Sequence, residues 1–154
     1  MDDFRNRRQK QEITDREELL AILDKCDIGW LGMSRADEPY VLPVNFTREG
    51  EKLYIHCSPT GKKIDFLIAN PNVCLTALEN PEYIEGRGNY RYRCVICYGK
   101  ARLVEDREEM LAAYQSLCAK IDPLVMEDIN DDCLDRSAII CIEIEKLTGK
   151  HGVE

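Results

Sequence analysis

Residues 53–58, LeuTyrIleHisCysSer, and 61–65, GlyLysLysIleAsp, carry the side chains best suited to chemistry in this chain. Strand alternation predicts Tyr54, His56 and Ser58 on one face and Leu53, Ile55 and Cys57 on the other. The apolar set reads as core. The polar set reads as a row of hydrogen-bonding groups leading to Gly61, Lys62 and Lys63 at a helix start. A helix N-terminus with a glycine before it and a lysine beside it is a ready anion site. A first-turn lysine otherwise opposes the helix dipole. The pattern points to a flat polar aromatic ligand with a phosphate tail. Placed there, His56 could give a hydrogen bond or a proton to an electron acceptor. The plainer alternatives are a solvated first turn and a histidine hydrogen-bonded within its sheet. The other histidine, His151, lies in a polar tail, and two histidines this far apart make no metal constellation.

The flanking residues extend the pattern. Pro43, inside ProTyrValLeuProValAsnPhe (39–46), has no backbone donor. It marks a sheet edge or a break in the ladder, which leaves the backbone of Val44 and Asn45 open to a ligand. The window 86–104 holds Arg87, Arg91, Arg93, Lys100 and Arg102 and no Asp or Glu. Arg91 and Arg93 share a strand face and could meet one phosphate, or the window could be a solvated face paired with acids elsewhere. Cys94 and Cys97 have CxxC spacing, but on a strand they face opposite ways. The eight cysteines therefore read as structural thiols, with no disulfide or metal site expected. Trp30 and tyrosines 40, 83, 90, 92 and 98 read as core or interface.

The elements that would position these groups follow from caps, turns and periodicity. Residues 1–12 are expected to form a loose N-terminal arm. Thr14, Asp15, Arg16 and Glu17 read as a capping box that opens a helix over 15–26. Strands are expected at 27–35, 40–48, 52–58 and 72–78, with a short helix over 61–69. A loop over 81–89, a long strand over 90–105, a helix over 107–120, an acidic irregular stretch over 122–136 and a last strand over 137–147 complete the reading. Six strands in mostly sequential order predict a mainly β fold, an antiparallel barrel with flanking helices, in a single domain over 1–154. No GxGxxG follows a strand, which argues against a Rossmann site. The net charge of −8 disfavours bulk binding to nucleic acid or an anionic membrane. With no long apolar run and no signal-like start, the expected location is the cytoplasm.

On these residues the chain resembles the flavin-binding split-barrel family related to pyridoxamine 5′-phosphate oxidase, and within it the 5-nitroimidazole-resistance branch. The similarity rests on ArgArg at 7–8, GluIleThrAsp at 12–15, the blocks 39–46 and 53–65, AsnProAsnVal at 70–73, TyrArgCysValIleCysTyrGlyLysAla at 92–101 and GluLysLeuThrGlyLys at 145–150. It implies a six-stranded split barrel that forms a homodimer, with two FMN molecules in grooves between subunits. It also implies contacts from the backbone of Pro43, Val44, Asn45 and Phe46 to the isoalloxazine edge. His56 would lie by the ring or the substrate space, with Tyr54 on the same strand face. Ser58, Gly61, Lys62 and Lys63 would take the phosphate side, with Tyr92 and Arg93 helping from the later strand. The branch usually has a serine where this chain has Cys94, and an arginine where it has Gln11. The activity implied is an FMN-dependent oxidoreductase of small aromatic or nitro compounds, with NAD(P)H as the expected donor. The alternatives are a non-catalytic flavin-binding protein and a deazaflavin or haem binder on the same barrel.

Overall fold

The structure, a computed structural model, describes residues 9–152. Among these residues eight strands form one antiparallel sheet. They are β1 (Glu12–Ile13), β2 (Ile28–Arg35), β3 (Glu38–Asn45), β4 (Thr47–Glu49), β5 (Lys52–Cys57), β6 (Asn72–Ile84), β7 (Asn89–Leu103) and β8 (Ala138–His151). The helices are α1 (Arg16–Lys25), α2 (Lys62–Ala69), α3 (Arg107–Ile121) and α4 (Asp131–Asp135), with a 3₁₀ turn over Pro123–Asp128. The strand order is β3-β2-β6-β7-β8-β5-β4, with β1 on the far end of β8. β3 and β4 therefore sit at opposite ends of the sheet, yet only Phe46 separates them in the chain. The sheet must curl until its edges nearly meet, and the gap between them is the split of a barrel.

The barrel interior is aliphatic. Leu31, Leu53, Ile55, Leu75, Val95, Ile140 and Ile142 fill it, and Ile22 and Leu23 of α1 and Ile64, Phe66 and Leu67 of α2 close its ends. Each such side chain contributes roughly 1.5–3 kcal/mol by leaving water. A second, smaller core lies outside the barrel, where Met110, Ala113 and Leu117 of α3 pack on Tyr54, Ile139 and Cys141.

Several local readings change. Residues 40–48 are two strands, because the chain crosses from one sheet edge to the other at Phe46. β3 also starts earlier, since the β2–β3 turn is only Ala36 and Asp37, both at positive φ as a two-residue hairpin of this hand requires. With β1 these changes raise the strand number from six to eight. β6 runs on to Ile84 through a register shift between Glu79 and Glu82, so the loop over 81–89 shrinks to a turn over 85–88. The stretch 122–136 is mostly helical, each helical piece opened by an Asx cap, Asp122 and Asn130. β8 extends through the tail to His151. The cap of α1 is Asp15 rather than Thr14, its carboxylate accepting from the Glu17 amide. The expected arm over 1–12 lies largely outside the described residues; within it, residues 9–11 form a 3₁₀ turn and Glu12 pairs with Lys150.

Candidate functional site

A cleft of about 360 Å³ opens beside the split. That is the small end of the roughly 300–1,000 Å³ usual for ligand pockets. One wall is the end of β3, with Pro43, Val44 and Asn45; the floor carries His56 of β5 and Lys63 of α2. The other wall is the C-terminal half of α3 and the segment beyond it: Tyr114, Leu117, Cys118, Ile121, Asp122 and Val125. β3 is a sheet edge, hydrogen-bonded only to β2 among the described residues, which is what a proline in mid-strand demands. The Asn45 side-chain amide donates to the Asp27 carbonyl at 3.3 Å, which orients it at the cleft rim.

His56 packs against Tyr114, with ring centroids 4.9 Å apart and planes tilted by 59°. Its other side is open to the cleft. Burial against the tyrosine and then the Lys63 ammonium push its pKa below the ordinary histidine value. At neutral pH the ring is therefore uncharged and offers one N–H and one lone pair. Tyr114 is fixed from behind by a 2.6 Å hydrogen bond with the Ser137 hydroxyl. Gly61 caps α2 with no side chain, at φ 128°, so no side chain covers the first-turn amides beside Lys63. This end of the cleft is the positive one.

The structure brings together Pro43, Val44, Asn45, His56 and Lys63, and separates the other expected site residues from them. Phe46 is fully buried, and its backbone is already engaged: the amide donates to Asp27 and the carbonyl accepts from Lys120. Tyr54 is buried too, because α3 covers the strand face that alternation alone would leave open. Its hydroxyl donates to Glu109 at 2.8 Å. Lys62 turns away from the cleft to pair with Glu38 at 3.0 Å and lie over the Tyr40 ring. Ser58 and Gly61 sit in the exposed loop before α2 and do not line the cleft. Tyr92 lies in a separate groove on the outer sheet face, and Arg93 is held between Glu18 and Glu79. The basic window is largely neutralised in the same way: Arg91 pairs with Glu82, and Arg102 with Glu109 and Glu143. Cys94 and Cys97 do face opposite ways, toward the outer groove and the barrel interior respectively. Burial raises the Cys97 pKa to about 12.

The wall from α3 lies outside the sequence-based expectation for the site. Its signal is a second apolar stripe, Tyr114, Leu117 and Ile121, displaced around the helix from the packing stripe Met110, Ala113 and Leu117.

The family model described as pyridoxamine 5′-phosphate oxidase matches residues 15–151. The chain belongs to this family. An uncharacterized protein of Rhizobium meliloti (strain 1021) is 26% identical over 147 residues, covering 90% of this chain and 93% of that protein. Among solved structures, a candidate 5-nitroimidazole antibiotic resistance protein from Bacteroides thetaiotaomicron is 27% identical with a TM-score of 0.79, over 92% of this chain and 86% of that one. The flavocytochrome Anf3 from Azotobacter vinelandii superposes with a TM-score of 0.84 at 22% identity, over 97% of this chain and 73% of its own. The barrel is thus of the split type shared by these proteins. Among the described residues, no helix is long and apolar enough to cross a membrane.

Proposed function

We propose that this family member binds FMN in the cleft, as a homodimer, and acts as a flavin-dependent reductase of small aromatic or nitro compounds with NAD(P)H as donor. One observation carries the reading: an open strand edge, a neutral histidine and a lysine at an uncapped helix start converge on one cleft. Each matches one part of that cofactor. The backbone of Pro43–Asn45 can hydrogen-bond the polar edge of the ring. Lys63 and the α2 amides can take the phosphate. Tyr114, Leu117 and Ile121 supply an apolar wall that keeps water from a ring face. The proteins of similar fold include flavin binders: the flavocytochrome above, an FAD-binding protein of Mesorhizobium loti, and an FAD and haem binding protein of Mycobacterium smegmatis.

When bound, the flavin would supply the capacity to accept a hydride and pass electrons on. The protein's part is to orient and to manage charge. Lys63 sits where it offsets negative charge. As negative charge develops beside His56, the neutral ring would donate its N–H to that charge as a hydrogen bond, and the proton that reduction consumes would reach the acceptor from solvent through the open cleft.

The test is the purified protein's visible spectrum, with FMN and riboflavin titrations. Flavin bands, and FMN bound far more tightly than riboflavin, support the reading. A haem spectrum, or no affinity for any flavin, overturns it. Steady-state NAD(P)H oxidation with a nitroaromatic acceptor then separates a reductase from a flavin carrier.

A further inference from the structure

Lys120 lies in the last turn of α3, outside the cleft, and is used in an uncommon way. Its three ammonium donors go to three backbone carbonyls: Leu23 at 3.2 Å, Cys26 at 2.6 Å and Phe46 at 3.1 Å. Its Nζ also lies 4.2 Å from the centroid of the Phe46 ring. An ammonium has three donors and no acceptor, so its hydrogen-bonding capacity is met without a carboxylate partner. Two of the carbonyls belong to the end of α1, where helix carbonyls lack intrahelical partners and a cation is favoured. The third belongs to the single residue that joins β3 to β4 across the split.

This geometry bears directly on the cleft. The residues just before Phe46, Pro43 to Asn45, are one wall; the residues around Lys120, from Leu117 to Asp122, are the other. Elsewhere α3 is stitched down along one stripe. Glu109 accepts from Tyr54 and Arg102 near its start, and Ser116 bonds Thr47 and Glu49 in the middle. Lys120 makes the corresponding attachment at the end that lines the cleft.

We propose that Lys120 is a positioning residue that sets the distance between the two cleft walls, and thereby the grip on the aromatic ring of the ligand. This rests on the flavin reading for the ligand, but not for the tether itself. Because Lys120 acts on ring space and not on the phosphate, its loss should weaken riboflavin and FMN by the same factor.

The experiment compares wild type with Lys120→Met, which keeps the apolar stem and drops the ammonium. Two readouts are taken: riboflavin and FMN affinity, and amide hydrogen exchange of the ligand-free protein. The expected result is a loss of about tenfold for both flavins, the scale of a hydrogen-bonded charge. Exchange should quicken at residues 44–46, 117–122 and 124–125 and stay unchanged in β6 and β7. Wild-type riboflavin affinity, or exchange that quickens uniformly over the barrel, overturns the proposal. If Lys120→Met does not fold, Lys120→Gln, which keeps two donors, is judged by the same criteria. If wild type binds no flavin, the functional reading fails, and the exchange pattern alone decides the tether: local quickening supports it and uniform quickening overturns it.

Discussion

Lys62 and Lys63 are neighbours in the chain but serve different sides of the molecule. Successive helix residues are turned by about 100°, so only one of the two can face the cleft. Lys63 does; Lys62 is committed to Glu38 and the Tyr40 ring. Lys63→Ala should therefore weaken FMN by about 1.5–3 kcal/mol and leave riboflavin nearly unchanged. Lys62→Ala should change neither by more than a few tenths, as for an exposed ion pair. Titration of both ligands against both variants checks this, and equal losses for FMN and riboflavin in Lys63→Ala would place the lysine away from the phosphate. The motif was legible in the sequence, but the choice between its lysines was not, since it depends on the phase at which the helix starts. His56 yields a pH prediction. Its folded pKa lies below the unfolded value of about 6.5. Between those two values the unfolded chain binds more protons, so stability falls as pH drops below about 6.5. Urea unfolding at pH near 7.5 and 5.5 should show this loss in wild type and a smaller one in His56→Gln. Equal losses in the two proteins would mean that the ring is not desolvated.

At the scale of elements, α3 decides what the site is. Alternation divides β5 into two faces, but only long-range packing reveals that the polar-looking face is partly a second core. A helix that begins about fifty residues later covers Tyr54 and leaves His56 at its margin. Nothing within residues 52–58 could announce that cover. The tyrosine tolerates burial because Glu109 accepts its hydroxyl, and Glu109 in turn is held by Arg102 at 2.7 Å. The Arg102 hydrogen bond keeps the Glu109 pKa below the ordinary carboxylate value. Removing the carboxylate leaves a buried hydroxyl without its acceptor and a guanidinium without its nearest partner. Glu109→Ala should thus destabilise by about 1–3 kcal/mol, and Tyr54→Phe by about 1 kcal/mol. Denaturant unfolding at neutral pH measures both. Because the folded Glu109 pKa is depressed, its contribution is present above the unfolded value and is lost as pH falls through the folded one. The gap between wild type and Glu109→Ala should therefore narrow in acid. A cost for Glu109→Ala no larger than that for Tyr54→Phe would show that Arg102 does not depend on the carboxylate.

The whole molecule is a barrel covered unevenly. Helices close its ends and overlie β4, β5 and the start of β8, while among the described residues the outer face of β2, β6 and β7 carries none. That face is not polar. Trp30 is 42% exposed, Leu78 38% and Tyr90 54%, and with Tyr92 and Cys94 they line a groove of about 520 Å³. Contiguous apolar exposure of this kind marks an interaction surface. The groove and the cleft are also adjacent, because Trp30 is the cross-strand partner of Pro43. Beyond the cleft's other wall the apolar exposure resumes at Leu124, which is 89% exposed. A cleft this small, bordered on both sides by exposed apolar residues, would be completed by a second copy laid across it, and two-fold pairing is the commonest way a chain buries such a face. The sequence marked the tyrosines as core or interface, but the joining of their surface to the cleft appears only once β2 and β3 are paired. Trp30→Lys places a charge in that surface and should give a folded monomer at micromolar concentration by sedimentation. It should also bind flavin at least tenfold more weakly, though it removes no group from the cleft lining. A Trp30→Lys monomer with undiminished flavin affinity would show that one chain completes the site by itself; a dimer that persists would move the interface to another face.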